Sequence, residues 1–166
     1  TLLCTTVAAI FDPLPAWQLV WLCLAIGALL LIVWGKALNG PDLNIGPDYL
    51  HRWYVIPRNR WFNIYLHHIL RDDDDRALHD HPWHSVSFLL RGRLREITPD
   101  GIRHPRRFIP VFRAATHAHR LEVPATGAWT LFITGPRIRE WGFHCPRGWV
   151  HWQDFVAPDD SGRVGR

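Results

Sequence analysis

Two short histidine segments carry the residues with the clearest chemical potential in this chain of 166 residues. His79 and His81 flank one residue, and the same spacing recurs at His117 and His119. Residues i and i+2 of an extended strand lie on one face, so His79 and His81 would project their imidazoles in the same direction. Imidazole is a good ligand for zinc, copper, iron and nickel. The spacing predicts a metal site in which His119, from the second segment, supplies the third ligand.

Three neutral imidazoles would leave the full charge of a divalent metal uncompensated. They would also leave coordination positions open for water, O₂ or an anionic substrate. His84 lies close in sequence to the first pair and is a further candidate ligand. The alternative interpretation is a barrel whose histidines hydrogen-bond within the core and bind no metal.

Two other residues are candidates for positioning a substrate. Tyr65 shares one face of a predicted strand with Asn63 and His67, and this face could line the mouth of the site. Arg139 shares a face with Arg137 and could hold a substrate carboxylate through paired hydrogen bonds. Both sets would lie on a solvated outer face in the alternative interpretation. We expect Tyr65 or Arg139 to orient a substrate.

An apolar segment near the N-terminus predicts a membrane helix. Ala16 to Trp34 is nearly continuous apolar sequence, and at helical rise it would span roughly 28 Å, close to the thickness of a bilayer hydrocarbon core. Lys36 and several arginines follow the segment, whereas no basic residue precedes it. The positive-inside rule therefore places the C-terminal side in the cytoplasm. Alternatives are a buried core helix, a signal peptide, or the second arm of a helical hairpin whose first arm ends with the apolar residues Leu2 to Phe11.

The rest of the chain has the pattern of an all-β domain. Residues 1–36 are assigned to the membrane segment, 37–50 to a linker, 51–156 to the β-domain and 157–166 to a flexible tail. The β-domain contains apolar runs separated by turns rich in proline, glycine and aspartate. The predicted strands are Trp53–Pro57, Phe62–Leu70, Ser85–Ile97, Arg107–Phe112, His119–Val123, Trp129–Thr134, Arg137–Phe143 and Trp149–Phe155.

Composition narrows the possible classes of protein. Apolar residues make up 48% of the chain and charged residues 20%, which argues against wholesale disorder. The three cysteines are widely spaced, which excludes a disulfide scaffold and a cysteine-built zinc finger. The net charge of +4 comes without a lysine- or arginine-rich block, so a nucleic-acid partner is not expected.

The histidine segments and the strands around them resemble the cupin superfamily over roughly residues 50–156. The first cupin motif combines H-x-H with a later glycine, here His79, His81 and Gly92, and the second contributes a histidine, here His119. The chain also resembles small cupin-like proteins with an H-D-H-P-W element and an R-E-W-G-F element, here residues 79–83 and 139–143. The glutamate of the first cupin motif is absent, because Ser85 or Val86 stands at its position.

The resemblance implies a double-stranded β-helix, or jelly-roll barrel, preceded by the transmembrane helix. The missing glutamate makes the ligand set similar to that of thiol dioxygenases, so Fe(II) is the first expectation, with zinc, manganese, nickel or copper as alternatives. We therefore expect a membrane-anchored, metal-dependent dioxygenase that acts on a small anionic substrate. Membrane lipid and a second copy of the chain are further expected partners. The alternatives are a non-catalytic ligand or metal sensor and a structural, partner-binding module.

Overall fold

The computed structural model describes residues 15–46, 48–73, 77–157 and 160–164. The chain divides into two units, residues 1–35 and 36–166. The described residues contain helices α1 (Ala16–Ala37) and α2 (Trp152–Phe155). The strands are β1 (Leu43–Ile45), β2 (Leu50–Tyr54), β3 (Asn63–Ile69), β4 (Leu78–His79), β5 (Ser85–Gly92), β6 (Arg95–Thr98), β7 (Gly101–Arg103), β8 (Pro110–Arg113), β9 (Arg120–Glu122), β10 (Ala128–Thr134), β11 (Gly142–Cys145), β12 (Gly148–His151), β13 (Val156–Ala157) and β14 (Asp160–Val164).

Helix α1 is long and apolar enough to cross a membrane. It has 22 residues, none of which is buried, and its large apolar side chains are exposed. This exposure distinguishes α1 from the buried core helix of a soluble domain, although a signal sequence has the same length and character. The first arm of the alternative hairpin, which would end with Leu2 to Phe11, lies outside the described residues.

The largest sheet is antiparallel and contains six strands in the order β1-β2-β3-β10-β5-β8. Its centre is β10, which pairs along its length with β3 and β5. The edge strand β1 lies within the segment that the sequence assigned to a linker. Likewise, β13 and β14 pair with each other where the sequence suggested a flexible tail.

A second layer forms from two three-stranded sheets, β12-β11-β4 and β7-β6-β9. An isolated antiparallel bridge between His79 and His119 joins β4 to the residue that precedes β9. The layer therefore runs from β12 to β7 through the two histidine segments. Two antiparallel layers built from interleaved parts of the chain are the arrangement of a jelly roll.

The buried core includes a row of apolar residues that hydrogen-bonding register brings together. Leu50 of β2 lies opposite Ile69 of β3, which lies opposite Ala128 of β10. Leu89 and Leu94 complete this buried cluster. The packed side chains of this cluster hold the strands of the large sheet together and so form a rigid surface beside the site.

Glycine divides the long strand predicted over Ser85–Ile97. Gly92 ends β5 at a φ of 88°, and a Cβ there would lie 2.4 Å from the backbone oxygen of Gly127. Only glycine accommodates both the conformation and this close approach. The chain therefore leaves the large sheet at Gly92 and enters the second layer as β6, which places Glu96 beside the histidines.

Candidate metal centre

Backbone pairing brings the two histidine segments together. His79 N–H donates to His119 O at 2.8 Å, and His119 N–H donates to His79 O at 2.9 Å. Residues that exchange both hydrogen bonds in an antiparallel pair present their side chains on one face of the sheet. His81, two residues after His79, shares that face. The three imidazoles therefore converge through strand geometry rather than through flexible loops.

The ring nitrogens of His79, His81 and His119 form a compact group. Their candidate ligand atoms lie within 4.8 Å of one another, and His81 Nε2 is 2.9 Å from His119 Nε2. His119 is 3% exposed, whereas His79 and His81 are partly buried. This is the group that the sequence predicted, brought together by the fold.

Glu96 orients His119 from behind. Its Oε1 accepts a hydrogen bond from His119 Nδ1 at 2.7 Å. An ionised carboxylate only accepts, so the Nδ1 proton resides on His119 and its Nε2 lone pair faces the other histidines. Carboxylate–histidine pairs of this kind are the usual outer support of metal ligands.

The Glu96 carboxylate is ionised although it is fully buried. Burial alone would raise the pKa of Glu96, but hydrogen bonds from His119 and Arg113, together with the charge of Arg113, lower it well below its ordinary range. Arg113 Nε donates to Glu96 Oε1 at 2.6 Å, and both side chains are almost inaccessible. His117 Nε2 also lies 3.3 Å from Glu96 Oε1. Glu96, His117 and His119 form a second group whose ligand atoms lie close together.

Two histidines of the group, His81 and His119, are held neutral, which is the form that binds a metal. Burial lowers the pKa of His81 well below its usual value, and the neighbouring His119 adds to this effect. Burial also lowers the pKa of His119 to about 4, although its hydrogen bond with Glu96 opposes the shift. Both rings therefore remain uncharged at neutral pH without an ion to displace their protons.

His79 has an incomplete version of the same outer support. Its buried Nδ1 has no hydrogen-bond partner and lies 3.7 Å from Asp73 Oδ2. Asp73 is itself fixed, because Tyr49 Oη donates to its Oδ1 and Leu121 N–H donates to its Oδ2. A movement of about 0.5–1 Å would give His79 the kind of carboxylate contact that His119 already has.

Asp80 connects the two sequence elements that accompany the histidines. It lies between His79 and His81, is 1% exposed, and accepts a hydrogen bond from Gly142 N–H at 2.9 Å. Its other oxygen lies 2.9 Å from Arg139 Nη1. Burial alone would raise the pKa of Asp80, but the hydrogen bonds from Gly142 and Arg139 lower it. The Asp80 side chain thus joins the H-D-H-P-W element to the R-E-W-G-F element and holds in place the segment that carries His79 and His81.

The donor set fits a divalent transition metal. Metal–imidazole distances are about 2.0–2.1 Å, so two nitrogens on one ion lie no more than about 4 Å apart. The group needs only small side-chain adjustments to meet this limit. The 2.9 Å contact between His81 Nε2 and His119 Nε2 is a further feature, because a bound cation would take the place of this hydrogen bond.

His84 does not join the group. Its side chain is exposed, and its Nδ1 accepts a hydrogen bond from Ala115 N–H at 3.1 Å. The turn at Pro82 and Trp83 ends the alternation of strand faces before this residue. Among the described residues, His84 supports the backbone next to the second histidine segment.

Arg139 and Tyr65 do not line the cavity beside the histidines. Arg139 Nη1 donates to the backbone oxygens of Ala115 at 3.2 Å and of His81 at 3.5 Å, in addition to its ion pair with Asp80. Tyr65 is 4% exposed, and its ring stacks on His67. The structure thus places both near the site as supporting residues, and neither contacts the space that a substrate would occupy.

A cavity of about 350 Å³ opens onto the histidines. Its size is at the lower end of the range for small-molecule sites. Aromatic and aliphatic side chains form most of its wall, among them Trp83, Trp141, Phe132 and Phe143. Arg52, His67, Ser87 and Thr130 are among the polar residues that also line it.

The sequence did not identify Glu96, Arg113, Asp73 or Arg52 as residues of this site. Glu96 lies ten residues beyond the position expected for a cupin glutamate, on a strand that begins only after the break at Gly92. Its partner Arg113 comes from β8 of the other sheet. Only the pairing of β6 with β9 places Glu96 beside the second histidine segment.

Comparisons with solved structures return proteins of low sequence identity. The polyketide cyclase RemF from Streptomyces resistomycificus is 13% identical, with a TM-score of 0.49, covering 61% of this chain and 75% of RemF. KdgF from Halomonas sp. is 12% identical, with a TM-score of 0.46, covering 60% of this chain and 89% of KdgF. The DMSP lyase DddQ from Ruegeria pomeroyi DSS-3 is 16% identical, with a TM-score of 0.48, covering 61% of this chain and 54% of DddQ.

No protein-family model matches the chain, and no curated protein matches it significantly. The fold assignment therefore depends on the strand pairings and on the position of the histidines. Two antiparallel layers, with an H-x-H strand paired to a later histidine and a cavity beside them, define a cupin-like β-domain. The expected cupin-like, all-β fold after an apolar helix is confirmed.

Proposed function

We propose that the β-domain binds one divalent metal through His79, His81 and His119 and is a metal-dependent enzyme. The observation that carries the proposal is the convergence of three imidazoles, one of them fixed by a buried carboxylate. The adjoining cavity gives a small molecule access to the same nitrogens.

The reaction we favour is oxygenation of a small anionic substrate, with Fe(II) as the metal. When bound, Fe(II) supplies the capacity to bind O₂ and substrate side by side. Glu96 keeps the His119 proton on Nδ1, so that Nε2 remains a ligand throughout. The aromatic wall excludes water from the cavity and so limits side reactions. Zinc, manganese, nickel and copper are compatible with the same ligands.

The first experiment is metal analysis of the full chain, purified in detergent and reconstituted with Fe(II), Zn(II) or Mn(II) in turn. Native protein should hold about one ion per chain, and His79→Ala and His119→Ala should lose it. His104→Ala is the matched control, because His104 is exposed and lies outside the group. A native chain that retains none of the three metals would overturn the proposal, as would full metal content in both variants.

Oxygenation is tested separately by O₂ uptake of the Fe(II)-loaded chain with a panel of small thiols and carboxylates. The expected result is uptake in fixed proportion to substrate consumed, abolished in His119→Ala. Bound metal without turnover on any member of the panel would favour the alternative of a ligand or metal sensor.

We also propose that α1 anchors the β-domain to a membrane, with the β-domain on the cytoplasmic side. The support is the length and apolar character of α1 and the basic residues that follow it. Deletion of residues 1–35 should release the β-domain from the membrane fraction after cell lysis. Release of the intact chain from alkali-washed membranes would contradict anchoring. Contact with lipid and pairing with a second copy are further expectations of this arrangement.

A further inference from the structure

Arg52 is a charged residue in the cavity wall whose charge nothing in the described chain neutralises. Three residues with a formal charge line the cavity: Arg52, Asp73 and Arg113. Arg113 is paired with Glu96. Asp73 accepts two hydrogen bonds and lies near His79. By contrast, no carboxylate among the described residues lies within ion-pair distance of Arg52.

The side chain of Arg52 is nevertheless held firmly. Its Nε donates to His67 Nε2 at 2.9 Å, and its guanidinium carbon lies 4.8 Å from the centre of the Tyr65 ring. Strand pairing sets this geometry, because Arg52 lies directly opposite His67 in the register of β2 and β3. His67 Nε2 can accept this hydrogen bond because burial lowers the pKa of His67 well below the usual value and keeps the ring neutral. These contacts occupy one N–H and one face of the guanidinium.

No hydrogen bond to another described residue occupies the terminal nitrogens of Arg52, and this residue lines the cavity. A guanidinium stays protonated in proteins and presents paired N–H donors that match a carboxylate. A buried charge without a counter-ion is unfavourable, so a binding site of this kind is completed by an anion. The ring of Phe132 contacts His67 on one side and His81 on the other, which places Arg52 in the same cavity as the metal group.

We propose that Arg52 binds the carboxylate of a small substrate whose apolar body lies along the aromatic wall of the cavity. The proposal names the substrate class of the metal site and rests in that sense on the proposed function, although binding itself requires no metal. One guanidinium matches one carboxylate charge. A phosphate monoester, with a charge near −2 at neutral pH, would leave excess charge in an apolar space at the Arg52 end.

The test is ligand binding to the metal-free full chain in detergent, measured by isothermal titration calorimetry. The carboxylate probes are benzoate, phenylacetate and 3-phenylpropanoate. Their primary amides have the same shape without the charge, and phenyl phosphate tests the alternative oxyanion. At least one carboxylate should bind more tightly than both its amide and phenyl phosphate.

Arg52→Gln should weaken binding of that carboxylate by roughly 10- to 100-fold, the range expected for loss of a charge-assisted hydrogen bond. Binding of the amide should change little, which shows that the cavity remains folded. Arg52→Lys should retain part of the preference, because it keeps the charge but not the paired donors. Arg91→Gln is the matched control, since Arg91 is an exposed arginine of β5 that does not line the cavity.

Several results would overturn the inference. They are the absence of carboxylate binding to the native chain, equal affinity for acid and amide, tighter binding of phenyl phosphate, and unchanged carboxylate affinity in Arg52→Gln. If Arg52→Gln also loses amide binding, the affinities of Arg52→Lys for the acid and for the amide decide whether the inference stands. Metal content of Arg52→Gln should equal that of the native chain. Failure of the carboxylate assay in a metal-binding protein would therefore refute the Arg52 assignment and leave the metal site intact.

Discussion

Replacing Glu96 by Gln should separate the structural and the metal-binding consequences of the buried carboxylate. The change removes one charge with almost no change of shape. Glu96 and Arg113 are a pair in which the carboxylate side chain is 0% exposed and the arginine side chain 3%. Loss of one partner of a buried pair leaves the other charge uncompensated and typically costs about 3–5 kcal/mol. The metal-free variant should lose stability of this order.

The same substitution should weaken metal binding, because His119 Nδ1 loses the ionised acceptor that now lies at 2.7 Å. Removing such an outer partner usually lowers metal affinity by about 10- to 100-fold. Stability is measured by urea unfolding of the full chain in detergent, monitored by near-ultraviolet circular dichroism. Zn(II) affinity is measured by competition with a chromophoric chelator. Asp100→Asn removes an exposed charge and is the control.

A double variant tests the physical reason. Removing Arg113 as well, as in Glu96→Gln with Arg113→Met, eliminates the unpaired charge. The double variant should therefore be less destabilised than the sum of the single changes, by about 0.5–3 kcal/mol. Additive effects, or a Glu96→Gln variant within about 0.5 kcal/mol of native, would refute the assignment of a buried, ionised pair. The figure of 0.5 kcal/mol is the usual range for unimportant surface changes.

Three further predictions concern the surroundings of the histidines. Gly142→Ala should destabilise the fold by about 1–3 kcal/mol or more, because the added Cβ would lie 2.1 Å from Val150 O. Gly40→Ala is the control in the same urea titration and should be tolerated, because its Cβ would meet no atom within 4 Å. Asp80→Asn should lower the thermal unfolding temperature and reduce zinc occupancy together, since it weakens the hydrogen bonds that hold the ligand strand; a drop in occupancy alone would contradict this role. The metal-free chain should lose stability as the pH falls from 6.5 to 4, because the folded state keeps His119 neutral with a pKa of about 4. His119 alone should contribute about 3 kcal/mol to the free energy of unfolding, a contribution that is complete above pH 6.5 and lost as the pH falls towards 4. In His119→Gln, this part of the pH dependence should disappear from the free energies of unfolding measured in urea.

The local sequence pattern was sufficient to identify His79 and His81 as candidate metal ligands and to indicate the fold class. The H-x-H spacing at His79 and His81 places two rings on one face of any extended segment, whatever the rest of the chain does. The apolar run beginning at Ala16 likewise predicts a helix of membrane length from composition alone. Glycine and proline turns between apolar runs indicated an antiparallel β-domain. Each of these features depends on residues that are neighbours in sequence.

Element boundaries were less accurate where tertiary contacts interrupt a regular pattern. The strand expected over Ser85–Ile97 is divided at Gly92, where a close backbone approach from Gly127 changes the chain direction. The predicted strand Trp149–Phe155 is instead β12 followed by the short helix α2. Gly92 was itself a local signal of the first change, because a glycine inside a strand pattern marks a bulge or a close backbone approach.

Sequence alone determined which residue types were available and that His79 and His81 share a strand face. Only the tertiary structure decided that His119 pairs with His79, that Glu96 supports it, and that Arg52 rather than Arg139 lines the cavity. The physical reason is that strand alternation is a local property of the chain. Pairing between strands, and the neutralisation of a buried charge by a distant partner, depend on residues that only folding brings together.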